Sequence, residues 1–362
     1  MIARSLLAFW FAVSAPVPPG VIIDYEPAQS GLYIGSPSIV ILPTGDYVSS
    51  HDLFGPNAAH QTAPVTKIFR SRDRGKTWRK MAQLDHQFWS NLFVDHGQLF
   101  LMGTSFEYGR IVIRRSIDGG ATWTDAAFLT KDTGYHTAPV PMLEKDSRLW
   151  RAMEFHPEGP WGHFQAFMMS ARIGADLLDP NSWTMTERLP YPANAGEGAT
   201  WLEGNAVAAP DGSIQDILRV ANIEKAVILS VQNDQLVFKG LVDFPGGSKK
   251  FSIRYDPASR LYWTLSNPAL KEYAMSATDP ASVRNTLVLM SSKDLHDWKI
   301  VRTILSHPDP LKHGFQYVDW QFDNLDIIAV SRTGFDDDFG GPPRAHDANY
   351  LTFHRIPSFR NP

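Results

Sequence analysis

The chain has 362 residues, with 34 basic and 38 acidic side chains, a formal charge of −4 and no cysteine. That balance excludes the cationic surplus that a nucleic-acid backbone or an anionic membrane selects, and the missing thiols exclude a disulfide framework, thiol catalysis and thiolate metal sites. The length suits one large all-β domain, and the aromatic content of 12%, including 11 Trp, supplies rings for packing between sheets or for stacking on sugars.

The N-terminus opens with Met1-Ile2-Ala3-Arg4, continues through the apolar run Leu6 to Val13 and ends in Ser14-Ala15. A short basic start, an apolar stretch and small residues predict an export signal over residues 1–15, and hence a secreted or periplasmic protein. The run is too short to cross a bilayer, which takes about 20 apolar residues, and no later run approaches that length.

From residue 21 to 357 the sequence repeats one four-strand grammar six times: an alternating apolar run, a tight turn, a second run, and then an outer hairpin. The first unit covers Ser38 to Leu84 and turns at Pro43-Thr44-Gly45-Asp46. The second covers Asn91 to Leu129, and the third Ala138 to Leu189 with a long insertion from His156 to His163. The fourth covers Asn205 to Phe244, and the fifth Lys250 to Leu305. The sixth begins near Tyr317, and the chain ends before it can complete a fourth strand. Val21-Ile22-Ile23-Asp24-Tyr25 is a spare strand of the right kind. The predicted fold is therefore a single six-bladed β-propeller whose N-terminal strand closes the last blade and removes the free sheet edges.

Two outer hairpins carry the same motif, Ser-x-Asp-x-Gly-x-Thr-Trp, at Ser71 to Trp78 and at Ser116 to Trp123. Asp accepts from turn amides, Gly supplies a positive φ, and Trp packs beneath the hairpin. A degraded copy runs from Ser291 to Trp298, with His296 read in the place of Gly and Asp297 in the place of Thr. These turns are structural and lie on the face opposite the long loops.

On the long-loop face the ends of the second strands and the starts of the inner strands converge on the propeller axis. They bring Trp89, Asn91, Glu203, Asn205, Arg219, Asn222, Lys250, Gln316, Tyr317, Arg332 and His346 toward one funnel, as candidate substrate-binding groups. Arg219 and Arg332 are the central pair, because guanidinium forks match a carboxylate bidentately; the expected partner is an acidic oligosaccharide or polysaccharide. Each Arg alone reads equally as a solvated edge charge. Histidines cluster on this face without zinc-ligand spacing, so no metal is assigned. Asp336-Asp337-Asp338 with Gly340-Gly341 could hold Ca²⁺ but lacks the twelve-residue ligand loop, and reads as a solvated acidic loop. No cofactor is required, and a monomer is expected.

The repeated Ser-x-Asp-x-Gly-x-Thr-Trp motif resembles the Asp box of the sialidase-like propeller superfamily. Longer runs, Ser50 to Pro56, Phe251 to Pro257, Tyr317 to Asp323 with Ile327 to Thr333, and Ala345 to Tyr350, resemble propeller enzymes acting on the L-rhamnose-α-1,4-D-glucuronate caps of plant arabinogalactan. Those enzymes, described as seven-bladed, include α-L-rhamnosidases working with a single His and uronate lyases using His, Tyr and Arg. The resemblance implies a carbohydrate-active enzyme cleaving such caps by hydrolysis or β-elimination, with His51, Tyr135, His136 and Arg151 as catalytic candidates. For hydrolysis His51 is the first candidate, acting as the sole protein catalyst with the substrate carboxylate assisting, and Arg151 has a second reading inside its blade. Exo-α-sialidases share the Asp boxes, but their Arg-Ile-Pro segment has no counterpart in the first blade. Their Tyr nucleophile with its Glu partner and their three-Arg clamp have no evident match along the sequence. An exo-α-sialidase and a non-catalytic sugar-binding propeller stand as the alternatives.

Overall fold

The computed structural model describes residues 17–156, 161–193, 195, 200–274 and 279–361; the proposed export signal at 1–15 lies outside them. Six antiparallel sheets follow one another along the chain as the blades of a propeller, and the count of six, rather than seven, stands. Blades two, four and five are simple four-strand meanders. Blade six is completed by Val21–Tyr25, which pairs antiparallel with Tyr350–Ile356, so the first described strand closes the ring.

Alternation along each strand gives every sheet two apolar faces, and neighbouring sheets bury them against each other. Six core clusters result, one at each interface between adjacent blades. Trp201 and Trp320, both 0% exposed, fill the interfaces between blades three and four and between five and six. The closing strand contributes Ile23 to the cluster shared by blades six and one.

The turn motifs work as the sequence predicts. In the first, Asp73 accepts from the Thr77 amide at 2.9 Å and from its hydroxyl at 2.6 Å, Gly75 takes φ +88°, and the Trp78 indole donates to the Gly75 carbonyl at 3.2 Å. The second repeats this set from Asp118 to Trp123. The degraded copy differs from its reading in sequence. Trp298 donates to the Leu295 carbonyl at 3.0 Å, and Leu295, not His296, holds the left-handed position, at φ +70°. The loop is one residue shorter between Asp and Trp than in the intact motifs. A left-handed non-glycine residue costs roughly 1–2 kcal/mol. Burial offsets that cost, because Leu295 is fully buried in the core between blades four and five.

In the stretch Asp336-Asp337-Asp338 the last residue is exposed, as a solvated loop would have it, but the central one is not. Asp337 is buried and accepts from the Tyr25 hydroxyl, the Ala28, Phe339 and Gly341 amides and the Asn349 side chain. Its carboxylate ties the closing strand to blade six. Among the described residues no group of three or more acidic or imidazole side chains has the geometry to hold a metal ion, and no helix is long and apolar enough to cross a membrane.

Candidate functional site

The inner strands become irregular where they approach the long-loop face, and that irregularity builds the site. In blades two, four and six the register between inner and second strand slips at the same point, forming bulges between Phe88 and Asn91, Leu202 and Asn205, and Gln316 and Asp319. Each bulge carries one left-handed non-glycine residue: Trp89 at φ +47°, Glu203 at +59° and Tyr317 at +54°. Such backbone costs about 1–3 kcal/mol per residue and persists where the surroundings over-determine it. Here it turns three side chains from the sheets into a common bowl. In blades one and three the inner strand breaks instead, at residues 35–37 and 137–142, where Pro37, Pro139 and Pro141 lack the ladder N–H.

The bowl is a cavity of about 320 Å³ lined by Asp52, His60, Trp89, Glu107, Tyr108, His136, Trp161, Glu203, Arg219, Arg284, Tyr317, Arg332 and His346, among others. A larger hollow of about 700 Å³ lies at the opposite mouth of the axis, lined mainly by aliphatic and aromatic groups such as Met142, Val207, Ile253 and Phe322. Ionisable side chains converge on the smaller cavity, which makes it the candidate functional site.

One wall comes from blades four to six. Tyr317 donates its hydroxyl hydrogen to Glu203 at 2.9 Å, and Arg219 donates to the other Glu203 oxygen at 2.7 Å. The guanidinium of Arg332 lies 4.7 Å from the Tyr317 ring centre and 4.3 Å from that of Phe54, with Arg284 5.7 Å from Tyr317. All three arginines are buried, at 5% exposure for Arg219, 6% for Arg284 and 4% for Arg332. Each is fixed in place: Arg284 donates to the Ala281 carbonyl and to Gln316, and Arg332 donates to the His346 carbonyl. Burial together with Glu203 holds the Tyr317 phenol above its ordinary range, against the opposing pull of Arg219, Arg284 and Arg332. Burial also pushes Glu203 upward, but the Arg219 charge and the hydrogen bonds from Arg219 and Tyr317 offset it, so its carboxyl stays below the usual range. The wall thus presents a protonated phenol bonded to an ionised carboxylate, surrounded by positive charge.

The facing wall comes from blades one to three. Asp52 is fully buried and accepts from the Ser36 amide at 2.7 Å and the Trp89 amide at 2.6 Å. Burial pushes its pKa up to about 6, despite those two amides and the nearby His51 and Arg332 charges. His60 pairs with Glu107 at 3.4 Å, and that carboxylate raises the imidazole pKa. His136 hydrogen-bonds to the buried Glu154 at 2.8 Å and packs edge-on against Trp89.

Of the residues expected from sequence, the structure gathers His136, Trp89, Glu203, Arg219, Tyr317, Arg332 and His346 in the bowl. The others lie elsewhere. His51 is fully buried between Asp24, at 2.8 Å, and the Asp52 carbonyl, its ring stacked on Phe69. Successive strand residues face opposite ways, so Asp52 enters the bowl and His51 leaves it. The same alternation separates His136 from Tyr135, which packs in the core between blades two and three with its hydroxyl accepting from the exposed Arg188. Arg151 is fully buried and donates to Thr137 and to the Ala138 and Val140 carbonyls, satisfying the broken inner strand of blade three. Asn205 straps blade four to blade five by donating to the Phe251 carbonyl and accepting from the Ile253 amide. Asn91, at the equivalent position of blade two, is likewise buried at the axis. Lys250 is buried and donates to Ser252 and the Val318 carbonyl. Gln316 braces Arg284 from behind. Asn222 occupies an exposed left-handed turn at φ +67°.

Sequence reading missed Asp52, His60, Glu107, Tyr108, Trp161 and Arg284. The raised carboxyl of Asp52 sits beside a residue that was singled out, and Arg284 lies in a connecting segment with no periodic signal. A tyrosine–glutamate pair and three arginines, far apart along the sequence, come together in the bowl. The three arginines come one each from blades four, five and six.

No family model and no curated protein sequence matches the chain. Solved structures do resemble it. A Hadza microbial sialidase, Hz136, aligns with TM-score 0.64 at 14% identity over 93% of this chain and 68% of its own. The Trypanosoma rangeli sialidase in complex with sialic acid gives 0.61 at 12% identity, over 94% and 59%. The Penicillium chrysogenum α-L-arabinanase complexed with arabinobiose gives 0.58 at 15% identity, over 94% and 98%. These likenesses establish a shared fold, the β-propeller.

Proposed function

We propose that this protein is an exported glycoside hydrolase that removes a terminal carboxylated sugar from a glycan. The observation that carries this reading is the Tyr317–Glu203 pair ringed by Arg219, Arg284 and Arg332. A carboxylate seated on these guanidinia lies beside the Tyr317 hydroxyl, which places the carbon bearing it within reach of attack. Such a substrate is a 2-keto acid sugar in the manner of sialic acid, and the sialidases among the structural neighbours support this choice. In the first step Tyr317 Oη bonds to the anomeric carbon while its proton passes to Glu203. Asp52, neutral below about pH 6, protonates the departing glycosidic oxygen. Water then attacks the glycosyl–tyrosine linkage with Asp52 as base, and Tyr317 recovers its proton from Glu203.

Turnover of a fluorogenic α-sialoside, lost in Tyr317→Phe and Arg219→Ala, is the expected outcome. Binding of sialic acid without turnover would instead favour a lectin-like propeller.

A second reading draws on the His136–Glu154 pair beside Trp89. These residues suit cleavage of rhamnose–glucuronate caps, with the arginines holding the uronate. Digestion of gum arabic separates the outcomes: released rhamnose with saturated products marks hydrolysis, and an ultraviolet-absorbing unsaturated uronate marks elimination. His51 carries no part of either route, because it has no access to the bowl.

A further inference from the structure

The Glu154 carboxylate lies outside the bowl, fully buried, and both its oxygens are committed. Oε2 meets His136 Nδ1 at 2.8 Å, and Oε1 accepts from the backbone N–H of Gly204 at 2.8 Å. Gly204 is the second residue of the bulge that presents Glu203. One side chain therefore touches a bowl imidazole from blade three and the strained backbone beneath a bowl carboxylate from blade four. We infer that Glu154 is a positioning residue that sets both groups at once. It fixes His136 as the Nδ1–H tautomer, with Nε2 the ring's acceptor, and it pins the left-handed turn that aims Glu203 at Tyr317.

The tautomer follows from hydrogen-bond capacity. An ionised carboxylate only accepts, so the nitrogen facing it must carry hydrogen, and a neutral imidazole has then only Nε2 as acceptor. The ring cannot readily swing away. Trp89 packs edge-on with ring centres 4.4 Å apart, Phe164 lies at 4.8 Å and Tyr108 at 6.2 Å. The charged groups around it are Glu154, Glu107 and Glu203. The bulge needs the same support. A Cβ on Gly204 would come within 2.2 Å of Asp216 Oδ1, so the backbone there is wedged between Asp216 and Glu154. A buried amide that lost the carboxylate would be left unsatisfied.

Glu154→Gln is the discriminating variant because it keeps the size and removes one acceptor. Two donors, the Gly204 N–H and His136 Nδ1–H, would then compete for one amide oxygen. The backbone N–H has no alternative, whereas the imidazole can move its proton to Nε2. The amide oxygen stays with Gly204, its NH₂ faces Nδ1, and His136 flips tautomer.

Nitrogen-15 spectra of histidine-labelled protein, with His136→Gln identifying the resonances, read this directly. The wild type is expected to show hydrogen on Nδ1 and the variant on Nε2. Hydrogen on Nε2 in the wild type, or an unchanged tautomer in Glu154→Gln, would overturn the inference. The wild-type spectrum decides even if the variant does not fold. The catalytic meaning rests on the proposed hydrolase. If that reading holds, Glu154→Gln loses roughly 100-fold in kcat, the lower end of what a placed proton-transfer group contributes, with a smaller change in KM. Absence of any sialoside or gum arabic turnover would defeat the hydrolase reading and leave the tautomer result standing.

Discussion

The two faces of the propeller use the same backbone device for opposite ends. On the hairpin face, left-handed residues at Gly75, Gly120 and Leu295 let each turn close on itself, with the Asp side chains saturated by turn amides. On the bowl face, left-handed residues at Trp89, Glu203 and Tyr317 turn functional groups outward from the sheet. The hairpin turns consume their own polar groups and gain stability. The bowl bulges hold theirs toward the cavity, at a cost in strain that the buried network around Glu154 and Asp52 offsets. Substitutions should therefore separate: stability moves on one face, and chemistry on the other.

The sharpest test is Tyr317→Phe, which removes the oxygen proposed to attack and leaves the ring between its arginines. We expect kcat to fall by about 10⁴-fold or more with little change in melting temperature. An effect confined to stability would erase the distinction between the faces. Next is Asp52. Its acid form is the one that the proposed first step requires, so kcat/KM should fall as pH rises through about 6. Asp52→Asn should lower kcat by roughly 10²- to 10⁴-fold and remove that limb from the pH profile; a limb that survives the substitution assigns it to another group.

Arg219→Ala is the one bowl substitution expected to report on both properties. It strands Glu203 as a buried charge, which costs about 3–5 kcal/mol, readable by denaturant titration, and it raises KM for the acidic substrate. On the other face, Gly75→Ala puts a Cβ at a positive φ, 2.2 Å from Phe353 Cε1. A loss of about 1–3 kcal/mol with kcat and KM unchanged is the expected outcome. The smallest effect is expected from Leu295→Gly, where backbone relief of about 1 kcal/mol partly offsets the lost burial of about 2–3 kcal/mol. A net gain in stability would mean that the short turn is strained beyond what its packing repays.

Much of the fold was legible because its determinants are local. The four-strand period, the turn motifs and the spare strand Val21–Tyr25 are set by alternation and turn chemistry within a few residues of each other. The acidic run near Asp337 misled because its partners, Tyr25 and Ala28, stand more than 300 positions away. The third turn motif misled for a smaller reason. Deleting one residue shifts which position must be left-handed, and the sequence marks that position with Leu295 rather than glycine.

What the sequence determined by itself was the repeating architecture and the face on which polar groups collect, since strand period and connection length decide which strand ends meet the axis. Which side chains enter the bowl was decided only in the tertiary structure. Between His51 and Asp52, or Tyr135 and His136, a single step of alternation separates core from cavity. That step depends on bulges and breaks that no periodic pattern records. The pairing of Glu203 with Tyr317, and the gathering of Arg219, Arg284 and Arg332 from three blades, exist only once the ring has closed.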